Sequence, residues 1–461
     1  MSVPTGLYIS VPFCRTKCSY CNFASDVFSK SAYENYVLRL LEDIGTSRQF
    51  AAQLGCALEG TADSIYLGGG TPSILDTEQV RRIFAAMRDH FAVTSDAEIT
   101  VECAPGTLTS ALIETLLQCG VNRVSLGVQS FVDREAQAVG RLHQRATVLE
   151  EIGRLREAGL RNINIDLIAG LPHQTADSWT FSVSEAIAAG VPHVSVYMLE
   201  VDDDSRLGRE LIAGGARYHA HFVPDDDVTA DFYQQACEML GAAGIAQYEI
   251  SNFACVAPAR RNSELQSNQS RHNLKYWTRQ PYIGFGVDAH SMLVADHHEV
   301  DGFESDCYQA IRFATPDSLD AYMNRSPHTV TPVSTQAAIE ESFFLGLRLN
   351  RGIDLEQLRQ EFSAEFGHTS LNCHPERSEG PAVCQPSAST KAPPPGSLAT
   401  VSQDATAAWN AAAKQSLQEG LLEQQGAILR LTARGRLLSN EVFARFLAEE
   451  TKVGTGHVNP R

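Results

Sequence analysis

The sequence predicts an α/β protein: a parallel sheet with helices outside it, then a smaller helical, winged-helix-like domain. Three observations carry this. Short, apolar, partly β-branched runs alternate with helical patterns through residues 7–200, as strands and helices of a parallel sheet do. Several helical patterns stop at a glycine, namely Gly120, Gly159 and Gly190, and glycine suits the left-handed position after a helix. From Ser334 onward the pattern turns helical. Six βα repeats close as a barrel or partial barrel, and such folds place their sites at the carboxyl ends of the strands.

The strand-like runs are Leu7–Val11, Ser64–Leu67, Glu98–Glu102, Arg123–Val128, Ile163–Ile168 and His193–Leu199. The helical patterns between them are Tyr33–Ile44, Thr77–Phe91, Ser110–Cys119, Arg145–Ala158 and Ser178–Ala189. Amphipathic patterns follow at Ala338–Leu349 and Leu355–Phe366, then a helix at Ala405–Gln418. A hairpin is expected over 421–432, turning at Gln425-Gly426, with a closing helix Thr432–Leu447 capped by Thr432. The expected divisions are a core barrel at 1–250, a barrel extension at 251–333 and a C-terminal domain at 334–450. The stretch 373–404, rich in Pro, Ser, Ala and Gly, interrupts that last domain and cannot bury enough apolar surface to fold. The polar segment 254–271 reads as a loop and the tail 451–461 as disordered.

The first strand ends at Pro12 and opens into Phe13-Cys14-Arg15-Thr16-Lys17-Cys18-Ser19-Tyr20-Cys21, a C-x3-C-x2-C spacing. Three thiolates so placed can cap three irons of one cubane cluster and leave the fourth iron open. A zinc site or unrelated thiols are the alternatives, although no second cysteine pair or close histidines follow. The later strand ends carry Gly68-Gly69-Gly70-Thr71, then Glu102, then Gln129, with Arg141 twelve residues on. Asp166 sits inside an otherwise apolar strand, where an acid is costly unless paired or bound to a ligand. Singly each is an ordinary hydrogen-bonder; jointly they line a pocket.

The formal net charge of −18 argues against unaided nucleic-acid binding. Eleven scattered cysteines in a chain of 461 residues suit a reducing compartment. The N-terminus has no basic stretch leading into an apolar one, and no apolar run reaches about 18 residues, so a cytoplasmic protein is expected.

As a set, the cysteine loop, Gly-Gly-Gly-Thr-Pro-Ser (68–73), Val-Gln-Ser-Phe (128–131), Gly-Arg-Leu-His (140–143), the Asp166–Pro172 run and Tyr248–Phe253 are specific. They resemble the radical S-adenosylmethionine (SAM) family of oxygen-independent coproporphyrinogen III oxidases and their relatives, the haem chaperones called HemW. The resemblance covers about residues 6 to 350 and resumes near 405–447. It implies a partial (β/α)6 TIM-like barrel and a [4Fe–4S] cluster on Cys14, Cys18 and Cys21. In that family the open iron chelates SAM, and an electron from the cluster can cleave the sulfonium to a 5′-deoxyadenosyl radical. The resemblance implies that Tyr8 and Tyr20 contact SAM beside the loop, that Gly70 and Thr71 hold its amino group, and that Glu102, Gln129, Arg141 and Asp166 contact the rest. Ala104 departs from the pattern, since relatives often carry Asn before the proline.

The decarboxylating oxidases carry a further cysteine two residues after the third ligand, where this chain has Phe23, and a longer segment before the cluster strand. Both absences resemble the chaperone branch, which implies haem as cargo, with haem proteins, respiratory enzymes among them, as partners. Such a partner would bring the protein to the membrane periphery. A homodimer is compatible with the resemblance, and no catalytic residue is assigned. The alternative is an oxidase that decarboxylates porphyrinogen propionates. His272-Asn273-Leu274-Lys275-Tyr276-Trp277 resembles the chaperone branch's H-N-x-x-Y-W motif, which makes His272 a candidate haem ligand; the other reading is a histidine that hydrogen-bonds locally. His290 and the pair His297-His298 are further candidates.

Overall fold

β1 (Thr5–Val11) holds a central place in the sheet because it is paired on both sides. The computed structural model describes residues 3–255, 268–296, 308–362 and 403–447. They divide into two compact units. The first runs through Tyr276 and takes in Gln280–Val294 and Ile311–Thr331; the second holds Trp277–Arg279, the short stretches at 295–296 and 308–310, and the described residues from Pro332 on.

In the first unit, β2 (Thr61–Gly69), β3 (Ala92–Cys103), β4 (Arg123–Gln129), β5 (Asn162–Ala169) and β6 (His193–Met198) follow β1, each parallel to the one before. All six strands expected from the sequence are present, each within a few residues of its predicted ends except β3, which starts earlier. A seventh parallel strand, β7 (Tyr282–Gly286), pairs with the free side of β1. On the far edge β6 pairs antiparallel with Asn252–Cys255. The helices of seven residues or more are α1 (Lys30–Gln53), α2 (Thr77–His90), α3 (Ser110–Gln118), α4 (Arg145–Glu157), α5 (Ala176–Ala188), α6 (Arg206–Ala213), α7 (Asp226–Ala242) and α8 (Arg271–Trp277).

The local chemistry explains the boundaries. Asp76 and Gln79 form a capping box at α2, and Thr175 with Ser178 does the same at α5, which satisfies free N–H groups of the first turn. Gly120, Gly159 and Gly190 take positive φ at the ends of α3, α4 and α5. α1 runs nine residues past its expected end, because Gly45 is accommodated inside the helix and the chain turns left-handed only at Gly55.

Side-chain alternation gives the sheet two faces. In β5, Ile163, Ile165 and Leu167 are fully buried, and Asn162, Asn164 and Asp166 point the other way. Leu7, Ile9 and Val11 of β1, Ile65 and Leu67 of β2, and Val124 and Leu126 of β4 add to the apolar core. α8 is fastened to the start of the sheet by Lys275, which is 1% exposed. Its ammonium pairs with Asp63 at 2.8 Å and donates to the Pro4 carbonyl at 2.8 Å.

In the second unit, helix Thr335–Gly346 packs with Gln403–Gln418 and Ser439–Ala444 around Phe343, Trp409 and Phe446, with the Phe343 and Phe446 rings stacked at 4.7 Å. Ile353–Asp354, Ile428–Leu431 and Leu422–Gln425 form a small antiparallel sheet in that order. The hairpin turns at Gly426-Ala427, one residue later than expected, because Gly426 supplies the left-handed step. The single closing helix expected over 432–447 is two helices, Ala433–Leu437 and Ser439–Ala444, since Leu438 leaves helical geometry. Thr432 caps the first, accepting from the Gly435 N–H at 3.0 Å. Most of the insert 373–404, with Cys373 and Cys384, and the tail from 451 lie outside the described residues.

Breaking the Lys275 pair should leave the partly buried Asp63 carboxylate and the Pro4 carbonyl without this partner. Lys275→Ala is expected to cost about 3–5 kcal/mol, read as a lowered urea midpoint in the ligand-free protein; an unchanged midpoint would show that α8 is held by packing alone.

Candidate functional site

The cysteine loop leaves the carboxyl end of β1. It is closed by paired backbone bonds: the Cys14 N–H donates to the Asp26 carbonyl at 3.0 Å and the Asp26 N–H to that of Pro12 at 3.0 Å. It is also tied to the stretch before Arg141, through Ser19 N–H to Val139 (3.1 Å) and Thr16 Oγ1 to Gly140 (2.9 Å). Cys14 is buried, and Cys18 and Cys21 are half-buried; all three are free thiols. Burial pushes the Cys14 and Cys21 thiols up, and Cys18 beside both adds to it. Among the described residues no three His, Cys, Asp or Glu side chains converge on one ion-sized point. A cubane asks for no such convergence, because each thiolate meets its own iron.

The glycines after β2 press against this loop. The Gly70 N–H donates to the Val11 carbonyl and the Thr71 N–H to that of Phe13, each at 2.7 Å. A Cβ on Gly70 would sit 2.7 Å from the Phe13 oxygen and 3.0 Å from Cys14 Sγ. Thr71 Oγ1 lies 3.7 Å from that sulfur, and Ser25 Oγ 3.6 Å from it. Only glycine allows this approach.

Glu102 and Gln129 lie at strand ends and Asp166 three residues inside β5. Glu102 closes β3 and accepts from the Tyr66 hydroxyl at 2.8 Å. Burial, with the Asp166 charge adding, pushes its carboxyl up to about 7 against the pull of Tyr66, the Gly69 N–H and Arg141. Asp166 in β5 accepts from Ser125 Oγ (2.9 Å) and Asn164 Nδ2 (2.7 Å), and burial raises its pKa despite those bonds. Gln129 ends β4 with φ +68, an uncommon backbone for a residue other than glycine. Its Oε1 is buried with no hydrogen-bond partner, as is Arg141 Nε. Burial opposes the Arg141 charge, yet Cys18, Tyr20, Asp166 and Cys14 around it raise its pKa overall. Arg141, Thr71, Ala104 and His143 share the lining of a pocket of about 150 Å³. Tyr20 packs on Val139, Ile168 and Leu171. Tyr8 lies 6.1 Å, centroid to centroid, from Tyr66.

The arrangement is three thiols, one cation and two elevated carboxyls around two unpaired buried polar atoms, with a glycine cradle beside them. Those donors fit an iron–sulfur cluster and a zwitterionic ligand that has a carboxylate for Arg141 and further polar groups for Gln129, Glu102 and Asp166.

His272 is buried. Its Nδ1 hydrogen-bonds with Ser64 Oγ at 3.0 Å and its Nε2 with the Tyr276 hydroxyl at 2.8 Å. Tyr8 and Tyr66 stack on the ring, and burial pushes its pKa down to about 3. His290 is exposed and lies 3.6 Å from Asp288. His297-His298 lie outside the described residues.

Sequence reasoning missed the network behind Asp166. Asn164 Nδ2 also donates to Ser125 (2.7 Å) and Ser195 (3.0 Å), Ser195 donates to Asn252 (2.8 Å), and His193 bridges Asn164 (2.6 Å) and Tyr248 (3.0 Å). The signal was present as alternation: Asn162, Asn164 and Asp166, then His193 and Ser195, each two residues apart on one face.

Residues 8–182 match the model of the Radical SAM superfamily, and 333–369 that of the HemN C-terminal domain. The chain is 30% identical over 367 residues to the heme chaperone HemW of Lactococcus lactis, covering 79% of this chain and 86% of that one. It is 32% identical to the HemW of Synechocystis, covering 77% and 81%, and 29% identical to that of Bacillus subtilis, covering 96% and 99%. Its fold is similar to that of coproporphyrinogen III oxidase (HemN) from Escherichia coli, a radical SAM enzyme: TM-score 0.71 at 21% identity, over 96% of this chain and 90% of that one. The chain belongs to the heme chaperone HemW family of radical SAM proteins.

Proposed function

We propose that this protein is a haem chaperone that holds a [4Fe–4S] cluster and SAM at the carboxyl ends of the strands, binds haem, and passes it to acceptor haem proteins. The observation that carries the reading is the alignment with proteins named heme chaperone HemW along most of both chains. Phe23, where the resembling oxidases have a further cysteine, supports it from the sequence.

Cys14, Cys18 and Cys21 hold the cluster. Cys14 and Cys21 are held protonated by burial, so loading the cluster releases protons from them. When bound, the cluster supplies a reducible iron centre beside a sulfonium nucleotide. Arg141 takes the SAM carboxylate, Gly70 and Thr71 its amino group, and Gln129, Glu102 and Asp166 the remainder. Tyr8, beside Tyr66, and Tyr20, within the cysteine loop, contact SAM from the protein side. Gly70 excludes any side chain from the space where the nucleotide meets the loop. The acceptors include respiratory enzymes, which would draw the protein from the cytoplasm to the membrane periphery. Both ring nitrogens of His272 are engaged, so we assign it to holding α8 against β2 rather than to the iron of haem.

The chaperone reading is tested with anaerobically prepared, cluster-loaded protein. It should bind haem and transfer it to an apo-haem protein. Offered coproporphyrinogen III with SAM and a reductant, it should make no protoporphyrinogen; catalytic turnover there would replace the chaperone reading with an oxidase. A second test follows Glu102. Its folded-state pKa is raised, so the folded protein keeps a proton that the unfolded chain releases between about pH 4.5 and 7. Stability without ligand therefore falls as pH rises through that window, by up to about 3 kcal/mol from this group. Glu102→Gln is expected to match the parent near pH 4.5 and to melt higher than it at pH 8. Parallel melting curves across the window would contradict the assignment.

A further inference from the structure

Between β6 and α7 the chain leaves the sheet for residues 199–225, an excursion that does not line the pocket beside Arg141. It is fastened to the cysteine loop. The Leu207 N–H donates to the Ser19 carbonyl at 2.8 Å, Arg206 Nη1 to that of Lys17 at 3.3 Å, and Asn22 Nδ2 to Asp202 at 2.8 Å. Inside the excursion the Glu210 carboxylate accepts from the Tyr218 N–H at 2.8 Å and the Ala220 N–H at 3.1 Å, which fixes the 218–222 turn against α6. That acid is thereby occupied with backbone.

Three imidazoles meet at this turn. His173, just after β5, and His219 both take left-handed backbone, φ +70 and +60. Such strain in residues other than glycine gathers at functional places. The His173 N–H donates to the Phe222 carbonyl at 3.0 Å. The His173 and His219 rings are 4.9 Å apart; Phe222 lies 4.0 Å from His173 and 4.1 Å from His221. Phe222 is 46% exposed, and Leu211 and Ile212 on α6 are 48% and 69% exposed. His173 Nδ1 is 3.3 Å from Arg134. The His219 and His221 rings make no hydrogen bond among the described residues.

Beside the turn, α6 and the segment after it form a shallow, open surface depression lined by Arg206, Arg209, Arg217, Tyr218 and the backbone-bonded Glu210, among others. Arg209 has no side-chain hydrogen bond or ion pair among the described residues, and Arg217 lies over the Tyr218 ring at 5.4 Å. In a chain of net charge −18, this gathering of cations is a local exception that can receive an anion.

One ligand class satisfies all three features: an iron porphyrin that carries two carboxylates. Its iron takes an imidazole, its flat apolar face takes aromatic and aliphatic side chains, and its propionates take guanidinium groups. Among the described residues the three histidines do not converge on a single ion, and an axial bond needs only one imidazole. We propose that this excursion is the haem-loading surface, with an imidazole of the His173–His219–His221 group on the iron, Phe222 on the macrocycle, and Arg206, Arg209 and Arg217 on the propionates. The proposal rests on the chaperone reading. It places the cargo on the segment bonded to the cysteine loop, so whatever orders that loop also orders the cargo site.

The test is a haem titration of the full-length, cluster-loaded protein, followed by the Soret band and by resonance Raman for an iron–imidazole bond. His173→Ala/His219→Ala/His221→Ala is expected to lose the iron–imidazole signature and to bind haem at least about tenfold more weakly, a loss of about 1.4 kcal/mol. Iron-free protoporphyrin should bind that variant and the parent alike. Arg209→Glu/Arg217→Glu should weaken both porphyrins. His221, Arg209 and Arg217 are exposed and His173 and His219 half-buried, so melting and iron content should match the parent. Haem binding by the parent together with an unchanged spectrum and affinity in the triple-histidine variant overturns the site and leaves the chaperone reading standing. A parent that binds no haem at all overturns both.

Discussion

The site depends on one close approach, that of Gly70 to the cysteine loop. Two backbone bonds of 2.7 Å bring the ends of β1 and β2 together, and a missing Cβ is what permits them. The loop is short and carries few apolar side chains, so it cannot fix three sulfurs by burial alone. It borrows rigidity from the sheet below, from the Val139-Gly140 carbonyls beside it, and from the α6 segment on its other side. Side-chain packing elsewhere in the first unit serves to keep β1 and β2 in register, because a one-residue slip would move every side chain to the opposite face.

A second theme is the polar inner face of the sheet. Protein interiors seldom bury Asn164, Asp166, Ser125, Ser195 and His193 together, and each would be costly without partners. Here they satisfy one another in a continuous network, while Gln129 Oε1 and Arg141 Nε are buried without a hydrogen bond and Arg141 feels the charges of Cys18 and Cys14. The network positions Asp166. Burial also raises the Glu102 pKa.

Much of this was legible in the chain. The β-branched runs and the glycines after helices marked the six leading strands closely, because period and punctuation are local properties. The residues at the strand ends could be picked out for the same reason: an acid in an apolar strand or glycines after one stand out without knowledge of neighbours. What the sequence hid was nonlocal. β7 reads as an ordinary apolar run until its pairing with β1 is seen. The role of His272 depends on Ser64, which lies far away in the chain and shows no motif. His173 and His219 sit in different segments, and only the fold brings their rings to 4.9 Å. The break at Leu438 was hidden for the opposite reason: the pattern around it continues helically while the backbone does not.

The claim beneath all of this is that Cys14, Cys18 and Cys21 grip a cubane with one iron left for a small ligand. The most direct measurement is iron and sulfide content in protein prepared without oxygen, together with the electron paramagnetic resonance of its reduced form before and after addition of SAM. The account predicts about four irons and four sulfides per chain, a signal that shifts when SAM is added, and loss of both in a variant with the three cysteines replaced by alanine. Zinc in place of iron, or a cluster signal indifferent to SAM, would contradict it.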